Sequence, residues 1–134
     1  MNGNAFAQSW APRMLSILRI VAALLFLEHG AQKIFDFPHS DTHMPYVLTS
    51  LVPGVAGLIE FIGGLLLLAG LFTRPTAFIG SGEMAAAYFI GHFPKSVFPI
   101  LNGGGEAVML CFVFLYLACA GPGPWSLDAI RRKG

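Results

Sequence analysis

Charge is what this sequence has least of. Only 11% of its 134 residues are Asp, Glu, Lys or Arg, 55% are hydrophobic, and mean hydropathy is +0.68. A soluble domain is about 25% charged, so the deficit excludes an ordinary water-facing surface and points to a membrane protein. A net charge of +1 supplies no field to attract nucleic acid, which excludes that partner. Cysteine is nearly absent. Cys111 and Cys119 lie in one apolar stretch, and on a helix eight residues separate them by about 12 Å, beyond the roughly 7 Å reach of a disulfide. There is no P-loop, GxGxxG, CxxC, CxxCH or serine elbow, so nucleotide binding, thiol exchange, haem attachment and serine hydrolysis have no local signature. The first apolar run carries Glu28, His29 and Lys33 with no small-x-small cleavage site after it. It reads as a retained anchor, not a signal peptide.

What is present is four apolar runs, at about residues 13–35, 53–72, 75–93 and 103–120. Each spans close to the ~20 residues needed to cross a bilayer as a helix. The expected fold is all-α: a single domain over residues 1–134, built as a transmembrane four-helix bundle. Residues 1–12 read as polar and frayed, with Trp10 at the interface. Tyr46–Val52 reads as a short interfacial helix, Thr73-Arg74-Pro75 as a tight turn, and 94–102 as a second loop. Gly121-Pro122-Gly123-Pro124 stops the fourth run, and Ser126 caps a short C-terminal helix that ends in Arg131, Arg132 and Lys133. Four crossings leave both termini on one side. Arg13, Arg74, Arg131, Arg132 and Lys133 flank that side and mark it cytoplasmic. Arg19 lies about two turns in from the same side, near enough to snorkel back.

Each run carries one glutamate: Glu28, Glu60, Glu83 and Glu106. A carboxylate in hydrocarbon costs roughly 3 kcal/mol or more, so intramembrane acids face the protein interior and mark function. In the orientation above, Glu28 and Glu60 lie about 10 Å below the outer surface and Glu83 about 15 Å, with Glu106 near the start of its run. Small residues share their faces, such as Gly57, Gly63 and Gly64 with Glu60, and Gly80 and Ala87 with Glu83. The expectation is that all four acids converge in one chamber in the outer half of the membrane and titrate as a coupled set. They are the candidate catalytic residues. His29, Lys33, His92 and Asn102 are the candidate ligand-binding residues. Such a set suits proton relay, binding of a polar group, or hydrogen bonding to a quinone head; acids that merely tie helices together are the alternative. No metal site is expected. Glu28 and His29 are adjacent and point about 100° apart on a helix, which is not the Glu-x-x-His pairing of di-metal bundles. The His39-Ser40-Asp41-Thr42-His43 stretch is a loop.

Several residues in order carry a resemblance: Arg19; His29-Gly30 with Lys33; Glu60 with Gly63-Gly64 and a leucine-rich run to Gly70-Leu71-Phe72-Thr73-Arg74; and Gly121-Pro122-Gly123-Pro124-Trp125-Ser126-Leu127-Asp128. From about Met14 to Asp128 the chain resembles the DoxX family of small four-helix membrane proteins. The resemblance implies a multi-pass protein of the cytoplasmic membrane. Relatives include the membrane subunit of an archaeal thiosulfate:quinone oxidoreductase and a member of a mycobacterial oxidative-stress complex. The expected function is therefore a membrane subunit of a quinone-linked redox or oxidative-stress system. Quinone is the candidate cofactor. With no flavin, haem or iron–sulfur motif in the chain, a redox partner protein must supply electrons. A proton-coupled small-solute carrier and a membrane scaffold are the alternatives, and homo-oligomerisation stays open.

Overall fold

The computed structural model describes residues 3–133, and every regular element among them is helical. Helix α1 is Gly3–Phe35. A wide π-helical turn, Leu51–Val55, leads into α2, Ala56–Ala69. Helix α3, Thr73–Ala87, continues through a second π turn, Tyr88–His92, and a 3-10 turn, Phe93–Lys95. The short α4 is Pro99–Asn102, α5 is Gly105–Ala120 and α6 is Leu127–Arg132. Two stretches, Gly3–Phe35 with 33 residues and Leu51–Ala69 with 19, are long and apolar enough to cross a membrane; Gly105–Ala120 is apolar but shorter.

Helix α1 packs along α2, α3 packs along α5, and α2 joins the two pairs through α3. The core draws Ala23 and Phe26 from α1, Leu67 from α2, Ala77 and Met84 from α3, and Leu110, Phe114 and Leu117 from α5. At its centre Phe26 meets Phe114 edge-on, with centroids 4.8 Å apart. The outside is apolar as well: Val21, Leu24, Ile62, Leu65 and Phe112 are exposed. A continuous apolar coat of this kind is what lipid-facing helices present and what soluble monomers avoid.

Two glycines set the distance between α1 and α2. A β-carbon on Gly64 would stand 2.8 Å from Leu27 Cα, and one on Gly30 would collide with the Phe61 amide nitrogen. The helices therefore touch backbone to backbone, the close approach that small residues permit in membranes. The buried stripe of α1 runs Ser16, Arg19, Ala22/Ala23, Phe26, Gly30. Lys33 extends it by one more turn.

The far end is closed by the C-terminal segment. Arg19 is 1% exposed. It donates to Leu67 O at 2.8 Å, Trp125 O at 2.7 Å and Pro122 O. The expectation that Arg19 snorkels to the surface is corrected. The proline-rich turn folds back over it and supplies the Pro122 and Trp125 carbonyls, and the guanidinium fork bonds several acceptors at once. Asp128 accepts from the backbone N–H groups of Phe72 (3.0 Å) and Thr73 (2.9 Å), capping α3 from a distance. Ser126 caps α6 by accepting from the Ala129 N–H at 3.1 Å. Arg74 donates to Ala118 O and Cys119 O at the end of α5, where a cation complements the helix dipole.

Several expected boundaries are corrected. Residues 3–12 are helical, with Pro12 inside α1; Asn4-Ala5-Phe6-Ala7-Gln8 favours helix well enough to carry it, and Arg13 stacks over Trp10 at 5.0 Å. The expectation for Met1 and Asn2 lies outside the described residues. Of the expected helix Tyr46–Val52, residues 46–50 are not helical and only Leu51 and Val52 fall in the π turn. Pro45 and Pro53 bracket the stretch, and the Ser50 hydroxyl accepts from the Gly54 N–H at 3.1 Å and starts the helix only there. Thr73-Arg74-Pro75 is not a turn but the start of α3, where proline's missing N–H costs nothing. The chain reverses earlier, at Gly70 (φ 70) and Phe72 (φ 50). The third run is regular only to Ala87, and the helix of the fourth run, α5, begins at Gly105, after Gly103 takes φ 74.

Candidate functional site

The backbone contact at Gly30 and Gly64 places α1 and α2 close enough for a side chain of one to reach the other. One turn beyond Gly30, Lys33 extends its ammonium to Glu60 Oε2 at 2.7 Å. Glu60, one turn before Gly64, is 1% exposed. A charged group so enclosed needs a charged partner, since an unpaired one costs several kcal/mol. From α3, Glu83 interacts electrostatically with both Glu60 and Lys33. Its Oε2 is buried and has no hydrogen-bond partner among the described residues.

Two chambers flank the Lys33–Glu60 pair. The larger is a cleft of about 380 Å³ between α2, with its leading turn, and α3. Its walls include Val55, Ile59, Ile79 and Ile90; its polar lining is Lys33, Glu60, Glu83 and His92. The smaller, about 140 Å³, is lined by His29, Lys33, Glu60, His92 and Glu106, with Met84 and Leu110 behind them. Lys33, Glu60, Ala87 and His92 line both.

His29 accepts no proton from its own helix: Nδ1 lies 2.7 Å from Leu25 O, so this nitrogen carries the hydrogen. Its Nε2 then faces Glu106 Oε2 at 3.9 Å. His92 is held similarly, Nδ1 to Asn102 O at 3.0 Å, with its ring stacked on Tyr88. Glu60, Glu83 and Glu106 thus line one or other chamber, with Lys33, His29 and His92. Glu28 does not. It is exposed on α1, two residues from Gly30 and so about 200° round the helix from the packed stripe. Asn102 is buried, and its side-chain amide is engaged by the loop. Its amide donates to Tyr88 Oη (3.1 Å) and Ser96 O (2.9 Å), and its oxygen accepts from the Gly104 N–H (2.7 Å). It shapes the loop that holds His92.

Sequence reasoning missed Tyr88, whose hydroxyl anchors Asn102, and Tyr46, whose hydroxyl donates to Gly54 O at 3.1 Å and whose ring lies by Gly57. Neither has a motif. The loop histidines are drawn to Asp36, which accepts from the Ser40 N–H at 2.9 Å and lies 2.6 Å from His39 Nδ1 and 3.7 Å from His43 Nδ1. The Ser40 amide and then His39 hold the Asp36 carboxyl below its ordinary value.

Comparison with known proteins follows this geometry. The DoxX family model matches residues 14–93. Over 124 residues the chain is 43% identical to an uncharacterized protein of Haemophilus influenzae, covering 90% of this chain and 92% of that one. It is 31% identical over 123 residues to the inner membrane protein YqjF of Escherichia coli K12, covering 87% and 91%. With the inner membrane protein YphA of the same organism it shares 30% over 125 residues, covering 87% and 89%. No solved structure matches the chain.

Proposed function

The chain belongs to the DoxX family and is a multi-pass protein of the cytoplasmic membrane; we propose that it is a membrane subunit of a quinone-linked redox or oxidative-stress system, and that the cleft between α2 and α3 receives the quinone ring. In this reading α1, α2, α3 with its π-turn extension, and α5 all cross the bilayer as one four-helix bundle. Its basic rim, Arg13, Arg74, Arg131, Arg132 and Lys133, faces the cytoplasm. Helix α5 has 16 residues, about 24 Å of rise, which a locally thinned bilayer accommodates. Helix α1, with 33 residues, is about 50 Å long and overshoots the ~30 Å hydrocarbon layer. An end of α1 that stands clear of hydrocarbon gives the exposed Glu28 water or headgroups to face.

The observation that carries the proposal is the Lys33–Glu60 pair with Glu83 beside it, set in the wall of an otherwise apolar cleft. The cleft volume lies within the ordinary range for small-molecule sites, which are apolar with a few convergent polar groups. A quinone, when bound, takes up two electrons and two protons to become the hydroquinone. The chain's own residues orient the ring and handle protons. The Lys33 ammonium donates to a ring carbonyl. His92, whose Nδ1 hydrogen is committed to Asn102 O, donates there from Nε2 only in its protonated form. Glu60 and Glu83 are the acids that give and receive protons. Electrons come from a partner protein, and a second copy of the chain is compatible with the apolar exterior.

The test is retention of decylubiquinone by the purified protein in nanodiscs. Wild type keeps the quinone through extraction, and Glu60→Gln loses it. Proton flux in liposomes abolished by Glu83→Gln, without quinone retention, points instead to a proton-coupled carrier. Full activity in cells of all four Glu→Gln variants points to a scaffold.

A further inference from the structure

The two chambers differ in what surrounds them. Around the cleft, Ile79 and Ile90 are 56% and 58% exposed, so its apolar walls continue onto the coat that faces lipid. Around the smaller chamber, the side chains of His29 and Glu106 are 38% and 48% exposed, and that of Lys33 is 25% exposed, so it opens among polar atoms. Membership of the linings orders the acids. Glu106 lines only the small chamber, Glu83 only the cleft, and Glu60 both. Lys33, at 2.7 Å from Glu60, also lies within electrostatic reach of Glu83.

We propose that the Lys33–Glu60 pair is a partition with separate traffic on its two sides: an apolar, ring-headed ligand reaches the cleft sideways from the bilayer between α2 and α3, while protons arrive from water through the small chamber past Glu106 and His29. This deepens the quinone reading and rests on it for the ligand's class, but the two-sided access stands on the chambers themselves. The groups that face the route are His29 and Lys33 from α1, Glu60 from α2, Glu83 from α3, His92 from the turn after it, and Glu106 from α5. A proton taken up at Glu106 or His29 passes to Glu60 and then to Glu83. Each transfer breaks one O–H or N–H bond and forms one O–H bond. Lys33 keeps its own protons and swings toward whichever of Glu60 and Glu83 is left charged, so no carboxylate stands alone in the apolar wall. The unpartnered Glu83 Oε2 is the atom that hands the proton on.

The test uses thiol access in intact spheroplasts, in full-length protein whose own cysteines are replaced (Cys111→Ala, Cys119→Ala). Two exposed positions are probed separately, Ile79→Cys and Glu106→Cys, so neither substitution disturbs the core. The expected result is that a permanently charged methanethiosulfonate reacts with the thiol of Glu106→Cys about a hundredfold faster than with that of Ile79→Cys, the partition penalty of a fixed charge in hydrocarbon. A lipid-soluble pyrenyl maleimide reacts with the thiol of Ile79→Cys, and decylubiquinone slows that reaction. Equal reaction of both positions with the charged reagent, or a shielded thiol in Glu106→Cys, overturns the proposal. If the access pattern holds and decylubiquinone gives no protection, the partition is supported and the quinone reading alone falls.

Discussion

A β-carbon added to Gly30 would stand 2.8 Å from the carbonyl carbon of Glu60. The contact that brings α1 onto α2 is thus made at the very residue whose side chain Lys33 neutralises. Packing and ion pairing at this point are one arrangement, and a change in the first must disturb the second.

Gly30→Ala tests this coupling. The added methyl group meets backbone, which cannot rotate away, so the helices must separate. The expected cost is about 1–3 kcal/mol, the usual range for overpacking. Thermal unfolding in detergent micelles measures it. Gly82→Ala is the control, since nothing lies within 4 Å of a β-carbon there.

Removing one partner of the Lys33–Glu60 pair leaves the other enclosed without a counter-charge. Lys33→Met is expected to destabilise by roughly 3–5 kcal/mol, and Lys33→Met with Glu60→Leu to regain most of the loss. A double-mutant cycle on the unfolding midpoint reads the coupling. Additive single effects would show that the pair contributes nothing beyond its separate side chains.

At the other end, Arg19→Leu strips a donor from three carbonyls, on Leu67, Pro122 and Trp125, of which Leu67 O keeps the Gly70 N–H at 3.2 Å. Each buried acceptor left without a donor costs about 1–3 kcal/mol. Arg19→Lys also fails, because one ammonium lacks the fork's reach. The readout is proteolysis after Arg131 and Arg132, which becomes faster in both variants as the C-terminal segment lifts away.

Acidification acts on the same segment through Asp128. Burial raises its carboxyl, but the Thr73 and Phe72 amides and Arg131 outweigh that and hold it below its ordinary value of 3.8. A carboxyl depressed in the folded state contributes stability that is full above its unfolded value and fades as pH falls through the folded one. The docking of α6 on the start of α3 is therefore expected to weaken below about pH 4. The Phe72 and Thr73 amide resonances, followed by NMR from pH 6 downward, check it. In Asp128→Asn the same resonances stay flat.

Much of the framework is legible in the chain. Apolar runs mark the helices, the glycines of α2 mark its packed side, and Ser126 marks the start of α6. Glu28 is the exception, because no glycine marks its face as glycines mark those of Glu60 and Glu83, and depth in an apolar run does not fix position around the helix. The stripe Arg19, Ala22/Ala23, Phe26, Gly30, Lys33 repeats every three or four residues, and Glu28 falls off it. The bonding of Asn102 is hidden for a different reason. Nothing local announces that Gly103 breaks the helix and turns the amide onto Tyr88 and Ser96. The early start of α1 was hidden by Pro12, which ordinarily argues against a helix interior.

The bond from Arg19 to Trp125 spans 106 positions, and this imposes an order on biogenesis. At about 5–20 residues per second, the ribosome needs roughly 5 to 20 seconds to deliver the second residue after the first. Through that interval the guanidinium sits in the nascent first hairpin with only part of its complement of acceptors. The hairpin is therefore a provisional object during synthesis, and it becomes permanent only once Trp125 has been delivered to it.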